Sequence, residues 1–386
     1  MSCQPANFIA GYVVEPGAGS QHGATCTGEP ANGLCLGSRS SSTPGAAPAQ
    51  PLPPFPFGWF AVAASADVRP GQVITRRLAG RDVVLTRLRS GRLAVSEAAC
   101  PHLGAHLGQG GTVTAGGNLL RCPFHGFEFD LTDGRCAATP RPYGPPPRTA
   151  RLAMLHAREV LGTILVHGPD RGEPQWEVEE VSTDPDEHWI RLRHNVIRFH
   201  GGHPQEVSEN SVDLGHLSIL HQFAAVTVRR PLETDGPYLR SAYSARLARV
   251  PVIGHLNVDF DVYVDGLGFS RVETRLPDLD RFLGTGWALR QLVMPAPTDD
   301  GTLELRLAVS VRRPDRRPSW LWTAIAYLIR AAVMVRFRGE VNSDLKIWRH
   351  KAYLDRPTLA VGDGPIGPYR RWAAQFYPEN APASAD

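Results

Sequence analysis

Two short loops, Cys100-Pro-His102 and Cys122-Pro-Phe-His125, constrain this chain more than any other feature. Each offers one thiolate and one imidazole, and the segment between them is long enough for a hairpin. Four soft or borderline ligands arranged in two pairs call for a metal. Zinc knuckles usually draw on Cys-x2-Cys or His-x3-His pairs, whose spacing lets both side chains converge on one ion. Loops that each mix Cys with His suit a [2Fe-2S] cluster instead, with both thiolates on one iron and both imidazoles on the other. Neutral imidazoles reduce the negative charge of the cluster and raise its potential, which makes it a one-electron relay. Glycines at 104, 108, 110, 111 and 126 permit tight turns whose amides can point at sulfide. Nearby, His106 reads as a solvent-facing or loop histidine and Cys136 as a small buried apolar residue.

The chain has 386 residues, enough for two or three domains with real cores. At 42% hydrophobic and 20% charged, wholesale disorder is excluded. Its 41 basic and 38 acidic residues give a net charge of +3, too balanced for nucleic-acid binding along a face. Six cysteines are too few for a disulfide scaffold, and the N-terminus has neither a basic stretch nor a long apolar run, so a cytoplasmic setting is the default expectation.

Residues 1–56, rich in Gly, Ser, Ala, Thr and Pro and containing Cys3, Cys26 and Cys35, read as a disordered tail with a Pro-rich linker. Residues 57–168 read as a small β domain, with a hairpin over Arg81–Leu88 and Arg92–Val95 turned at Ser90-Gly91. Within 169–386, strand-like runs at 238–247, 255–264, 269–275, 287–294 and 303–311 predict an antiparallel sheet of four or five strands with helices on one face, an α+β arrangement. The apolar run 320–335, interrupted by Arg330, reads as a buried or amphipathic helix too short for a membrane span. The arginines at 312, 313, 316 and 317 leave peripheral contact with a lipid surface open.

A second constellation lies in Glu209-Asn-Ser-Val-Asp-Leu-Gly-His216-Leu-Ser-Ile-Leu-His221. Asn210, Asp213 and His216 recur every three positions and would share a helical face. His221 lies about 140° around an ideal helix from His216, so both reach one ion only if the helix bends, ends or carries a π-bulge. Two histidines and a carboxylate on one face of an iron leave positions open for dioxygen. The carboxylate would be distant in sequence, and spacing does not select it.

With these residues on the page, the chain resembles the oxygenase components of Rieske-type non-haem iron oxygenases, in the steroid branch of bacterial 3-ketosteroid 9α-hydroxylase and animal cholesterol 7-desaturases. The resemblance spans roughly residues 57 to 378. Its motifs are Cys-Pro-His-Leu-Gly-Ala-His-Leu at 100–107, Cys-Pro-Phe-His-Gly-Phe at 122–127, His-Pro-Gln-Glu at 203–206, Asp-x2-His-x4-His from 213, and the C-terminal run through Asp344-Leu-Lys-Ile-Trp, Asp363-Gly-Pro-Ile and Arg371-Trp-Ala-Ala-Gln-Phe-Tyr.

The resemblance implies a Rieske domain ligating its cluster through Cys100, His102, Cys122 and His125, followed by a helix-grip catalytic domain. It implies Fe(II) held by His216, His221 and Asp344, with Asn210 beside it. A head-to-tail homotrimer would let Asp213 bridge His125 of one subunit and His216 of the next. Electrons would come from NADH or NADPH through a ferredoxin or ferredoxin reductase, since no nicotinamide or flavin motif is evident in the chain. Dioxygen would be used to hydroxylate or desaturate a small apolar substrate such as a steroid or sterol. A small aromatic acid is the second substrate class, and a non-catalytic electron carrier the rival outside enzymes. Two departures stand out: Phe127 occupies a position where many members have tryptophan, and residues 1–56 hold no apolar run of the length that resemblance to the animal desaturases leads one to expect.

Overall fold

Strand β1 (Gly58–Ala64) is buried along its whole length because it has two cores to serve. Phe60 and Val62 point into the N-terminal β domain, whereas Trp59 and Ala61 enter a second core shared with the C-terminal sheet. The computed structural model describes residues 55–377, apart from 115, 170–171, 182–187, 251–253, 279, 281–283, 285, 300 and 316. The tail expected over 1–56, with its three cysteines, lies almost wholly outside the described residues.

The N-terminal domain is built of short antiparallel strands. β2 (Val73–Leu78), β3 (Arg81–Arg87) and β4 (Leu93–Glu97) form a meander that β9 (Met154–Leu155) extends, with the expected turn closing between Arg87 and Leu93. β5 (Thr112–Val113), β6 (Leu119–Arg121), β7 (Glu128–Asp130) and β8 (Cys136–Ala138) make a second small sheet. One Cys/His loop is the tip of its β6–β7 hairpin, and the other precedes β5. β10 (Ala157–Val160) and β11 (Thr163–Gly168) return the chain beside β1.

The C-terminal part carries a seven-stranded antiparallel sheet. Its strands are β12 (Arg193–His200), β13 (Phe223–Asp235), β14 (Tyr238–Val250), β15 (Gly254–Asp265), β16 (Phe269–Arg275), β17 (Ala288–Asp299) and β18 (Thr302–Arg312), in the spatial order β12-β18-β17-β16-β15-β14-β13. The sequence reading finds β14 to β18 and misses β12 and β13, the two edges. Edge strands bury less and alternate weakly: β13 is mostly exposed and carries Pro231, which an edge tolerates.

Helices α1 (Pro204–Glu209) and α2 (Leu214–Ile219) fill the β12–β13 connection, and α3 (Ser319–Trp348) and α4 (Ile366–Ala373) follow the sheet. Helix α3 corrects the expectation for 320–335. At 30 residues it is long and apolar enough to cross a membrane by length and composition. Its second half packs Met334, Phe337, Val341, Leu345 and Trp348 against Phe199, Leu303, Leu305 and Leu307 of the sheet. Its outer side shows Trp320, Leu328 and Val335 to solvent at 70–73% exposure, so it is amphipathic and not simply buried.

The two β systems are fastened at one point. A bulge at Val62 in the β1–β11 pairing interrupts the ladder there. Buried Arg306 donates to both the Ala61 and Val62 carbonyls, at 3.2 and 2.5 Å, and also pairs with Glu304. Arg306→Leu should strand two buried carbonyls and remove one of the counter-charges of Glu304, which keeps Arg198 at 2.6 Å. The expected loss is about 3 kcal/mol of unfolding free energy in urea titration; an unchanged midpoint would show the fastening to be dispensable.

Candidate metal centres

The two Cys/His loops are closed by the same hydrogen bonds. Cys100 N–H donates to Ala105 O and Gly104 N–H to Cys100 O, both at 2.9 Å; Cys122 N–H donates to Phe127 O at 2.8 Å and Gly126 N–H to Cys122 O at 3.2 Å. Each loop needs a left-handed residue at its fifth position, met by Gly104 (φ 77°) and Gly126 (φ 69°). The result is polar across the site: both sulfurs are buried, whereas His102 and His125 reach the surface between exposed Leu103 and Phe124. The imidazole rings sit 4.8 Å apart, centroid to centroid.

Phe127, in place of the tryptophan of many relatives, is buried and stacks on His102 at 4.2 Å, and Tyr143 closes the edge of both histidines. His106 is a half-buried loop histidine, held by Asp82 Oδ2 and the Gly108 amide, both at 3.1 Å. Cys136 is half-buried, its thiol directed to Ala138 O.

The donor set fits a two-iron cluster. Burial, reinforced by the neighbouring Cys122 thiol, pushes Cys100 up to about 11, although the His102 and Leu103 amides aimed at its sulfur pull the other way. Thiols this reluctant to ionise become ligands only beside cations, so assembly releases protons. Among the described residues, these four do not form a group whose donor atoms all lie within 4.8 Å of one another, as one tetrahedral zinc would require.

A second set does converge in that way: donor atoms of His216, His221 and Asp344 lie within 4.8 Å of one another. The sequence reading places Asn210, Asp213 and His216 on one helix face, and the fold corrects it. The chain breaks after α1, leaving Asn210 half-buried as its C-cap, and restarts with Asp213 as the N-cap of α2, its carboxylate accepting from His216 N–H at 3.1 Å. An aspartate offered a free helix terminus satisfies it in preference to lying mid-helix.

Helix α2 then stops. His216 O accepts from Leu220 N–H at 2.8 Å and His221 N–H at 3.3 Å, and Gln222 turns left-handed (φ 59°) into β13. Ending the helix is one of the three ways the sequence allows His216 and His221 to share an ion, and their rings stand 5.0 Å apart.

The fit to a metal is chemical as well as geometric. His216 Nδ1–H donates to the Asp213 carbonyl at 2.6 Å, which leaves Nε2 as the free lone pair. His221 Nε2 lies 3.3 Å from Asp344 Oδ1, both side chains being buried. Burial opposes charge on His221, yet Asp344 outweighs it and holds the imidazole above its ordinary pKa. The pull that favours a proton there also favours a metal cation. Burial likewise opposes charge on Asp213, and the His216 donors overcome it, holding that carboxyl below its usual range.

Residues that sequence spacing did not single out position this centre. α1 is wholly buried and pinned from the C-terminal segment: Tyr369 Oη donates to Gln205 O at 2.7 Å, Tyr377 Oη to Gln205 Oε1 at 2.6 Å, and Arg370 grips Glu209 through two nitrogens at 2.7 and 3.1 Å. Leu214 N–H, next to Asp213, donates to Asp363 O at 3.2 Å. The C-terminal motifs therefore act as a clamp on the metal-binding segment. Glu340, one turn before Asp344, is paired with Arg336 at 2.6 Å, and burial raises its carboxyl pKa despite that partner.

Comparison with known proteins agrees with this layout. The model of the Rieske [2Fe-2S] domain matches residues 58–149, and that of the 3-ketosteroid 9α-hydroxylase C-terminal domain matches 165–377. A cholesterol 7-desaturase of Ciona intestinalis is 31% identical over 367 residues, covering 86% of this chain and 71% of the relative. A probable 3-ketosteroid 9α-monooxygenase oxygenase component of Rhodococcus rhodochrous is 29% identical over 325 residues, covering 83% and 79%. Among solved structures, dicamba monooxygenase superposes with a TM-score of 0.61 at 16% identity, covering 83% of this chain and 96% of the other. The Pseudomonas putida CBB5 NdmA variant with theobromine gives 0.60 at 18%, covering 82% and 89%. At that identity the two structures speak for the fold alone.

The glycines of the two loops separate strain from crowding. A β-carbon at Gly104 meets nothing within 4 Å, whereas at Gly126 it lies 3.2 Å from Pro140 Cγ and 3.3 Å from Arg121 Nε. Gly104→Ala is expected to cost about 1–2 kcal/mol of left-handed strain and keep its cluster. Gly126→Ala should lose iron and acid-labile sulfide per chain, measured with the visible absorbance; equal cluster content in the two variants would contradict this.

Proposed function

Because the chain belongs to the Rieske oxygenases that carry the 3-ketosteroid 9α-hydroxylase C-terminal domain, we propose that it hydroxylates or desaturates a steroid, sterol or similar rigid apolar polycycle at a mononuclear iron held by His216, His221 and Asp344. The convergence of these three side chains is the observation that carries the reading. Bound there, ferrous iron supplies the redox chemistry toward dioxygen that no side chain possesses.

The residues of this chain prepare the site. Asp213 orients His216 by capping α2 and by accepting its Nδ1 proton through the backbone carbonyl. The burial of His221 and Asp344 excludes water from two of the three ligands. Beside the ligands, Leu217 and Phe223 join an apolar cluster with Leu247, Phe260, Ile325 and Ile329, between the sheet and the inner side of α3. The steroid- and sterol-acting relatives favour a polycycle over a small aromatic acid.

Electrons enter from an external ferredoxin or ferredoxin reductase, drawing on NADH or NADPH. The surface position of His102 and His125, with exposed Leu103 and Phe124 around them, suits both that partner and a neighbouring subunit. In a head-to-tail homotrimer the free side of the Asp213 carboxylate would meet the partner subunit's His125 and couple the two centres.

Asp344→Ala should lower iron from about three to about two per chain with the visible cluster spectrum intact, and abolish turnover. Asp213→Asn keeps a good N-cap and removes the charge, whereas Asp213→Ala also costs about 1 kcal/mol of helix stability. Both should retain metals yet lose coupled product formation by about tenfold or more. Near-normal coupling in Asp213→Asn would remove Asp213 from the electron route. Incubation with reductase, oxygen and panels of steroids, sterols and aromatic acids tests the substrate; turnover confined to aromatic acids would overturn the assignment.

A further inference from the structure

The outer side of α3 carries an apolar stripe that no other part of the described chain covers. Trp320, Ala324, Leu328 and Val335 follow the helical repeat along one side, with Tyr327 beside them. Trp320, Leu328 and Val335 are 70%, 72% and 73% exposed and Tyr327 43%. Exposed Arg317 and Arg338 stand at the two ends of this stripe. Between positions 312 and 340 there are seven arginines against two acidic residues, Asp315 and Glu340, the latter paired with Arg336 at 2.6 Å. Tryptophan and aliphatic side chains on one face, with an arginine at each end, form the pattern of a helix lying in a bilayer interface, and the surplus positive charge selects anionic lipid.

We propose that α3 docks this face onto an anionic lipid bilayer, lying in the interface without spanning it. Spanning is excluded by the opposite side of the helix, where Ala326 and Met334 are buried on the sheet and Asp344 belongs to the metal centre. The inner face of the same helix supplies Trp322, Ile325, Ile329 and Val333 to the apolar cluster beside His216 and His221. One helix thus has lipid on its outer side and, on its inner side, the apolar cluster that adjoins His216 and His221. Resting on the polycycle reading above, this arrangement lets an apolar substrate pass from the bilayer into the site without crossing water, where its solubility is low.

The test uses full-length holoenzyme and sucrose-loaded vesicles of phosphatidylcholine alone or mixed with phosphatidylglycerol. The enzyme should sediment at least about tenfold more with the anionic vesicles, and about 0.5 M salt should release most of it. A Leu328→Asp/Val335→Asp variant should lose sedimentation while keeping its visible cluster spectrum. Its turnover of substrate delivered in cyclodextrin should be unchanged, and its turnover of vesicle-borne substrate should fall severalfold. Holoenzyme that stays in the supernatant at low salt overturns the docking, as does a variant that sediments like the parent. Light scattering that shows the variant dissociating to monomer, with no vesicle binding by the parent, would assign the stripe to a second copy instead. Sedimentation does not depend on turnover, so failure of docking and failure of the substrate reading are separately visible.

Discussion

Helix α2 ends two residues before His221, and the second centre depends on that stop. Were the helix to continue, His221 would turn away from His216 by more than a quarter circle. The stop is enforced by a shared acceptor, His216 O, and by a left-handed Gln222 that sends the chain into β13. The start is enforced by the Asp213 cap. A six-residue helix has little stability of its own. Its position is therefore imposed from outside, by the buried α1 and by the C-terminal clamp of Asp363, Tyr369, Arg370 and Tyr377.

The third donor arrives by a different route. Asp344 sits near the end of a long helix whose second half is seated on β18 through Phe337, Val341 and Leu345. That packing sets the height and rotation of α3, and so brings Asp344 Oδ1 to 3.3 Å from His221 Nε2. A buried carboxylate beside a buried imidazole is costly unless each partners the other or a cation. The apolar packing that surrounds the pair thus also makes the site avid for metal. The first half of the same helix has no sheet beneath its outer side, and there its apolar residues face outward.

The two parts of the chain are mechanically one. β1 is buried on both faces because it closes the cluster domain and covers the catalytic sheet, and Arg306 reaches across to its bulge. The cluster domain therefore stands on the catalytic sheet as on a fixed base. Its histidines reach the surface.

The cluster loops were legible in the sequence because every ligand lies within one short segment and the glycines are dictated by local backbone geometry. The five inner strands were legible from their apolar runs, and the steroid-branch resemblance from its motifs. The edge strands, the helix break before Asp213 and the full length of α3 were not, because each depends on what packs against it. Local chemistry alone was enough to single out Cys100, His102, Cys122 and His125 as candidate ligands, since two loops a hairpin apart can find each other with little help. Only the tertiary structure decided that His216, His221 and Asp344 meet, because residues so distant in sequence are brought together by the packing of helices on a sheet.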